Sequence, residues 1–393
     1  MPLEGRRIWF AGIGGAGLSA YAFLARAWGA EVAGWDRVRT PYLEHLEGVA
    51  VTISPEPPSA PDGFEVVVST AFADRVRGRS RAEFLAELVA LRPSIVVAGA
   101  HGKTTTTAMI AFCFERLGLD PAWLIGGEVP QLGGNAGAGE GWLVVEGDES
   151  DRTIAALRPR IAVVTNVDLD HHTEFASRAE VEELFESFLT AAPEAVRGWR
   201  LPPVDLRLAV PGEHNRANAA TALAALACAG VAREDAAPVL SEFAGAGRRL
   251  ERRGEAGGVA VVDTYAHHPA EIAADLAAAR DGVDGRLLAL FQPHLYSRTR
   301  HLARELAAAL ADADAVAVTD VYAARERPLE GVTGKLVVEA LAELPRWVDV
   351  AWTPTVEDGA AFVASRARPG DLVLTIGAGD VERAGPLVLE ALA

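Results

Sequence analysis

Apolar, β-branched runs alternate along this chain with alanine- and leucine-rich helical stretches. That alternation predicts an α/β protein built on largely parallel sheets with flanking helices. Two further observations divide it into three domains. Each third opens with its own strand–glycine–helix signature, and 393 residues is about two and a half times a typical ~150-residue domain. The reading is a Rossmann-like domain over 1–92, a P-loop ATPase-like domain over 93–254 and a second Rossmann-like domain over 255–393.

In the first third the strands are Arg7–Ala11, Glu31–Trp35 and Glu65–Ser69, and Pro93 stops the helix Arg81–Leu91 at the first boundary. The middle third offers Ser94–Ala98, Trp142–Glu146 and Ile161–Asn166. The polar stretch Arg252-Arg253-Gly254-Glu255 marks the second boundary. Beyond it lie Val259–Asp263, Leu287–Phe291, Ala315–Thr319 and Leu372–Ile376. No internal repeat or low-complexity linker interrupts the pattern.

Half of the residues are hydrophobic and the formal net charge is −17. Such a surface does not grip nucleic acid non-specifically, so an anionic ligand must be held by local devices. Cys113 and Cys228, the two cysteines, each sit in an apolar helical pattern, which fits a reducing compartment. Arg6-Arg7 before the uncharged stretch Ile8–Ala25 imitates a twin-arginine export signal. Gly12, Gly14, Gly15 and Gly17 weaken a membrane helix, and the text continues into a second strand, so the expected location is cytoplasmic. Lysine occurs twice, at Lys103 and Lys335, against 35 arginines; a chain so sparing with lysine needs it where it is kept.

Gly12-Ile13-Gly14-Gly15-Ala16-Gly17 satisfies G-x-G-x-x-G between a strand and a helix, with Asp36 closing the next strand. Glycines allow the backbone close to a diphosphate, and the helix N-terminus favours the anion. The pattern alone is also that of a nicotinamide dehydrogenase. The second device, Gly99-Ala100-His101-Gly102-Lys103-Thr104-Thr105, follows Ser94–Ala98. Its amides can wrap phosphates, Lys103 can reach the β/γ oxygens and a threonine hydroxyl can hold Mg2+, although the loop is shorter than G-x-x-x-x-G-K-[ST]. Glu146-Gly147-Asp148-Glu149-Ser150-Asp151 and Asn166-Val167-Asp168-Leu169-Asp170-His171-His172 end two more strands, where carboxylates and a histidine suit a divalent cation. Of the remaining histidines, all but His45 and His301 lie in polar clusters too, at His214, His267-His268 and His294, with spacings that do not match tetrahedral zinc.

Read in order, these pieces resemble the Mur ligase family. The matching text also includes Val66-Val67-Val68-Ser69, Val164-Thr165-Asn166, Gly212–Asn218, Gly247-Arg248-Arg249, Tyr265–Pro269, Phe291–Arg300 and Gly331-Val332-Thr333-Gly334. The resemblance implies an ATP-dependent, amide-forming ligase of three domains that joins L-alanine to UDP-N-acetylmuramate through an acyl phosphate. Gly12, Gly14, Gly15, Gly17, Asp36 and Ser69 would then serve the UDP substrate. Gly99, His101, Gly102, Lys103, Thr104, Thr105, His214, Asn215, Asn218, Arg248 and Asp263 would serve ATP, with His214 and Asn215 by adenine. Thr104 and Glu146 would ligate one Mg2+ and His171 a second. Tyr265, His267 and Arg298 would lie near the amino acid and acyl group and, with Lys103, make up the catalytic residues.

The chain departs from the family pattern at Ala100 and Gly147, both small changes, and at Leu295, where an arginine is usual. A fixed planar donor fork cannot be replaced by leucine. His171 and Gly212 are also closer than usual, and the central domain has no lysine for carbamylation besides Lys103. Two alternatives therefore stand beside the first reading: a ligase for another amino acid or acyl donor, and a non-catalytic nucleotide-binding relative.

Overall fold

The computed structural model describes residues 1–149, 152–169, 174–324 and 326–393. Three separate sheets organise it. The first contains β1 (Arg7–Ala11), β2 (Glu31–Asp36), β3 (Ala50–Ile53), β4 (Glu65–Val68) and β5 (Arg79–Ser80) in the order β3-β2-β1-β4-β5, all parallel. The second contains β6 (Ser94–Ala98), β7 (Ala122–Leu124), β8 (Ala136–Ala138), β9 (Leu143–Glu146), β10 (Ile161–Val164) and β11 (Glu194–Arg197) in the order β11-β10-β6-β9-β7-β8, with only β7–β8 antiparallel. The third contains β12 (Glu251–Ala256), β13 (Val259–Thr264), β14 (Leu287–Phe291), β15 (Ala315–Val318), β16 (Asp349–Trp352) and β17 (Leu372–Ile376), ordered β12-β13-β17-β14-β15-β16. There β12–β13 is the antiparallel pair, bulged between Arg252 and Gly254.

By compactness the chain forms two units. One comprises Met1–Asp168, Arg178–Arg207 and Ala217–Ala244, and so holds the first two sheets. The other comprises Leu169–Ser177, Leu208–Arg216 and Gly245–Ala393.

The central strands β6, β10, β14 and β17 are buried along their whole length. Helices cover both faces of such strands, which is why they read as predominantly apolar runs. Local chemistry starts the helices. Ser80 caps Arg81–Ala90 by accepting from the Glu83 amide while Glu83 accepts from the Ser80 amide. His268 does the same for Pro269–Arg280, its Nδ1 accepting from Ala270 and Glu271 accepting from its amide. In the first sheet the strand order reverses direction at β1, and in the second at β6. Loops leaving those strands open into the crevice where an α/β sheet binds ligands. Among the described residues, no helix is long and apolar enough to cross a membrane.

Candidate functional site

The loop after β6 is held open by its neighbours. Gly99 (φ +131°) passes so close to Thr165 that a Cβ would sit 2.1 Å from its hydroxyl, and Gly102 (φ +76°) passes Asn218 Oδ1 at 2.3 Å in the same sense. Only glycine tolerates both the dihedral and the approach. Between them the His101 amide donates to Asn166 Oδ1 (2.9 Å), while Thr165 Oγ1 (2.6 Å) and Asn166 Nδ2 (2.8 Å) donate to the His101 carbonyl. The end of β10 thus clamps the loop, and the helix Glu213–Cys228, through Asn218, fills the space behind it. Gly102 delivers the chain directly into the helix Lys103–Arg116, whose N-terminus faces the loop.

Lys103 Nζ donates to three acceptors: Gly99 O (2.7 Å), Ala100 O (3.3 Å) and Glu149 Oε1 (2.8 Å). Burial would lower an ammonium's pKa, but Glu149, with Glu146 and Asp148 behind it, outweighs that and raises it, so Lys103 is charged. Burial acts on Glu149 in the opposite sense and pushes its carboxyl up to about 7 even against Lys103. One residue on, Thr104 Oγ1 donates to Glu146 Oε1 (2.9 Å), and the Gly126 amide donates to Glu146 Oε2 (2.6 Å). A hydroxyl and a carboxylate side by side are hard oxygen donors of the kind Mg2+ selects. Arg81 reaches Asp148 at 2.9 Å and holds the next carboxylate aside.

In the loop after β1, Gly12 (φ +89°) packs against Ser69 and Phe72 with no room for a Cβ. Asp36 is 8% exposed and accepts from the Gly14 amide (2.8 Å) and the Arg37 amide (2.7 Å), while Thr40 Oγ1 donates to Gly14 O (2.6 Å). Asp36 therefore shapes the glycine loop. Gly15 caps the helix Ala16–Ala27 with no side-chain bond, which leaves its first amides facing outward.

In the other unit Asp263, fully buried at the end of β13, accepts from Arg248 Nε (2.9 Å), Arg253 Nη2 (3.3 Å) and Thr375 Oγ1 (2.6 Å). Arg248 also donates to the carbonyls of Gly377 (2.7 Å) and Gly379 (3.1 Å). The Arg248 and Arg249 guanidiniums each lie over the Tyr265 ring, 5.2 Å from its centroid. His267 Nδ1 is 3.0 Å from the Tyr265 carbonyl, which only accepts, so Nδ1 carries a proton; the Glu271 carboxylate lies 3.6 Å from the same nitrogen. His294 Nδ1 meets Arg298 Nη1 at 3.1 Å and, facing an obligate donor, accepts. Imidazole and phenol rings thus run from Tyr265 through His267 and His294 to Tyr322, with neighbouring centroids 5.6 to 5.9 Å apart. His214 Nε2 lies 3.5 Å from Asp275 Oδ1, and Thr264 donates to the other oxygen of Asp275. Burial pushes Asp275 up to about 7 and, helped by Arg249, lowers His214.

Comparison with known proteins accords with this arrangement. The Mur ligase middle domain matches residues 97–199, and the Mur ligase glutamate ligase domain matches residues 248–379. A UDP-N-acetylmuramate–L-alanine ligase of Thermobifida fusca is 39% identical, covering 98% of this chain and 96% of its own length. The chain belongs to the Mur ligase family. A second relative of the same name, from Streptomyces coelicolor, is 40% identical over 100% of this chain and 99% of its own. Among solved structures, UDP-N-acetylmuramate–alanine ligase of Thermotoga maritima superposes with a TM-score of 0.81 at 24% identity, covering 98% of both chains. The MurF ligase of the same organism, solved with ADP, gives 0.64 at 17% identity over 100% of this chain and 98% of its own. The T. fusca alignment spans 459 positions against 393 residues, so that Mur ligase carries stretches which this one lacks.

Set against the residues expected from sequence, one group comes together in the first unit: Gly99, His101, Gly102, Lys103, Thr104, Glu146 and Asn218. Thr105 is buried on the same helix. Gly17 lies beside Arg81, and Ser69 backs Gly12. Tyr265, His267, Arg298, Arg248 and Asp263 gather at the strand ends of the third sheet. In that unit, too, Asn215 donates to the Pro211 carbonyl at 2.6 Å. His171 lies outside the described residues. Sequence reasoning left out Glu149, Thr165, Asn166, His294 and Asp275 as site residues. The first four stood inside motifs already noted; Asp275 sits in an alanine-rich helix and carried no signal.

Proposed function

We propose that this Mur ligase joins L-alanine to UDP-N-acetylmuramate with hydrolysis of ATP to ADP and phosphate, in the cytoplasm, as a step in peptidoglycan precursor synthesis. What supports the reading is Lys103 at the start of the helix Lys103–Arg116, its ammonium held over the glycine loop by Gly99 O, Ala100 O and Glu149, next to the Thr104–Glu146 oxygens. The names of its relatives supply the substrates. The segments 1–92, 93–254 and 255–393 would divide the work among UDP substrate, ATP and amino acid.

A carboxylate is a poor electrophile. Its oxygen would attack the γ-phosphorus of ATP, and ADP would leave, giving an acyl phosphate. Lys103 and the N-terminus of the helix Lys103–Arg116 would bear the charge that builds on the transferring group. Thr104 and Glu146 would hold one Mg2+ and His171 a second; such ions neutralise phosphate charge when bound. The neutral amine of alanine would then attack the acyl carbon and phosphate would leave. With Nδ1 donating to the Tyr265 carbonyl, the neutral form of His267 presents its lone pair at Nε2, the atom suited to take the amine's proton. Asp36 would hold the glycine loop in shape for the UDP diphosphate.

Leu295 supports a second reading, a ligase for a different amino acid, because it stands where a cationic fork is usual. The test is phosphate release and product mass with MgATP, UDP-N-acetylmuramate and each amino acid singly. Release with alanine supports the first reading and release with another amino acid the second. Bound ATP without release under any condition would leave only a nucleotide-binding relative.

A further inference from the structure

We propose that Glu149 is a positioning residue that parks Lys103 against its own loop, so that nucleotide binding exchanges one anionic partner of the ammonium for another. This rests on the reading of residues 99–105 as a phosphate loop. An ammonium has three N–H donors, and here Gly99 O, Ala100 O and Glu149 Oε1 take one each. Lys103 is thus satisfied entirely by protein, with its side chain turned back over the loop rather than out from it. Glu149 is 3% exposed and so is a costly place for a carboxylate unless a cation faces it. Its neighbours sort the roles: Glu146 is taken by Thr104 and the Gly126 amide, and Asp148 meets Arg81. Glu149 is the carboxylate that meets Lys103 directly.

A residue that parks the lysine competes with phosphate, and a residue that merely supports the fold does not. The two roles therefore predict opposite signs. Glu149→Gln keeps an oxygen to accept from Nζ but removes the charge. It should tighten ATP-analogue binding, measured by calorimetry on the full chain, by about tenfold, the scale of one charge-assisted hydrogen bond. Glu149→Asp, one methylene shorter, should give a smaller change of the same sign. In a Lys103→Met background the Glu149→Gln effect should vanish. Weaker binding in folded Glu149→Gln and Glu149→Asp protein, checked by melting temperature, would overturn the proposal and make Glu149 a ligand or scaffold residue. An effect persisting in Lys103→Met would overturn it as well. If Lys103→Met alone leaves analogue affinity unchanged, it is the phosphate-loop reading that fails.

Discussion

Thr104 and Glu146 hold each other across the junction of β9 and the helix Lys103–Arg116, 2.9 Å apart, with the Gly126 amide fixing the other carboxylate oxygen. The pair is built from two strands and a helix N-terminus, so its geometry is set by the fold before any ion arrives. Glu146→Gln keeps the shape and loses the charge. It should cut ligase turnover by about 10²- to 10³-fold and raise the Mg2+ concentration needed for half-maximal rate. A Mg2+ titration of phosphate release checks this; an unchanged titration curve would remove Glu146 from the metal site.

Lys103 is the cation at the centre of the loop. Lys103→Ala should abolish turnover, by at least about 10³-fold, while the protein still folds. The variant leaves Glu149 buried without its ammonium. Its carboxyl pKa, already raised to about 7 in the intact protein, should rise further. Phosphate release and far-ultraviolet circular dichroism on the same sample separate loss of chemistry from loss of fold.

Gly102 joins dihedral and space. A Cβ there meets Asn218 Oδ1 at 2.3 Å and sits on a backbone with φ +76°. Gly102→Ala should destabilise by about 1–3 kcal/mol and weaken nucleotide binding, because the loop must move to admit the methyl. Adding Asn218→Ala should restore part of the stability, the part owed to collision, and leave the part owed to φ. Thermal melts of both variants give the two contributions.

The central strands were legible because burial on both faces writes itself as uninterrupted apolar text; β1, β6 and β17 match their sequence bounds residue for residue. The edge and short strands were not. β3 is a four-residue Ala-Val-Thr-Ile run that lies largely exposed, β5 has two residues, and β12 reads Glu-Arg-Arg-Gly-Glu-Ala, so length or composition hides each of them. In the site, motif residues such as Lys103 and Glu146 were legible because their chemistry is local in sequence. Asp263 shows what was not: its part as the anchor of Arg248, Arg253 and Thr375 depends on β13 lying beside β17, a non-local pairing.

Asp263→Ala should therefore act on stability first. It leaves two arginines around a fully buried position without their carboxylate, a loss of about 3–5 kcal/mol for a broken buried pair. Denaturant melts of the variant against the parent check the size, and a near-neutral change would show that the Gly377 and Gly379 carbonyls and Glu382 hold Arg248 without Asp263.

Asp275 and His214 make opposite contributions to the pH dependence of stability. The folded state holds the Asp275 proton up to about pH 7, whereas an ordinary aspartate loses it near 3.8. Between those values the folded protein binds the extra proton, so this group lowers stability as pH rises. By linkage the total is on the order of 4 kcal/mol at most. His214 is lowered, so there the unfolded state binds the extra proton and stability rises as pH climbs towards 6.5. Asp275→Asn removes the first contribution and keeps an acceptor for Thr264. Relative to the parent it should gain little at pH 4 and gain most at pH 8, by up to several degrees of melting temperature. Melts across that range decide it: a variant curve parallel to the parent's from pH 4 to 8 would mean that Asp275 is ionised in the folded protein throughout.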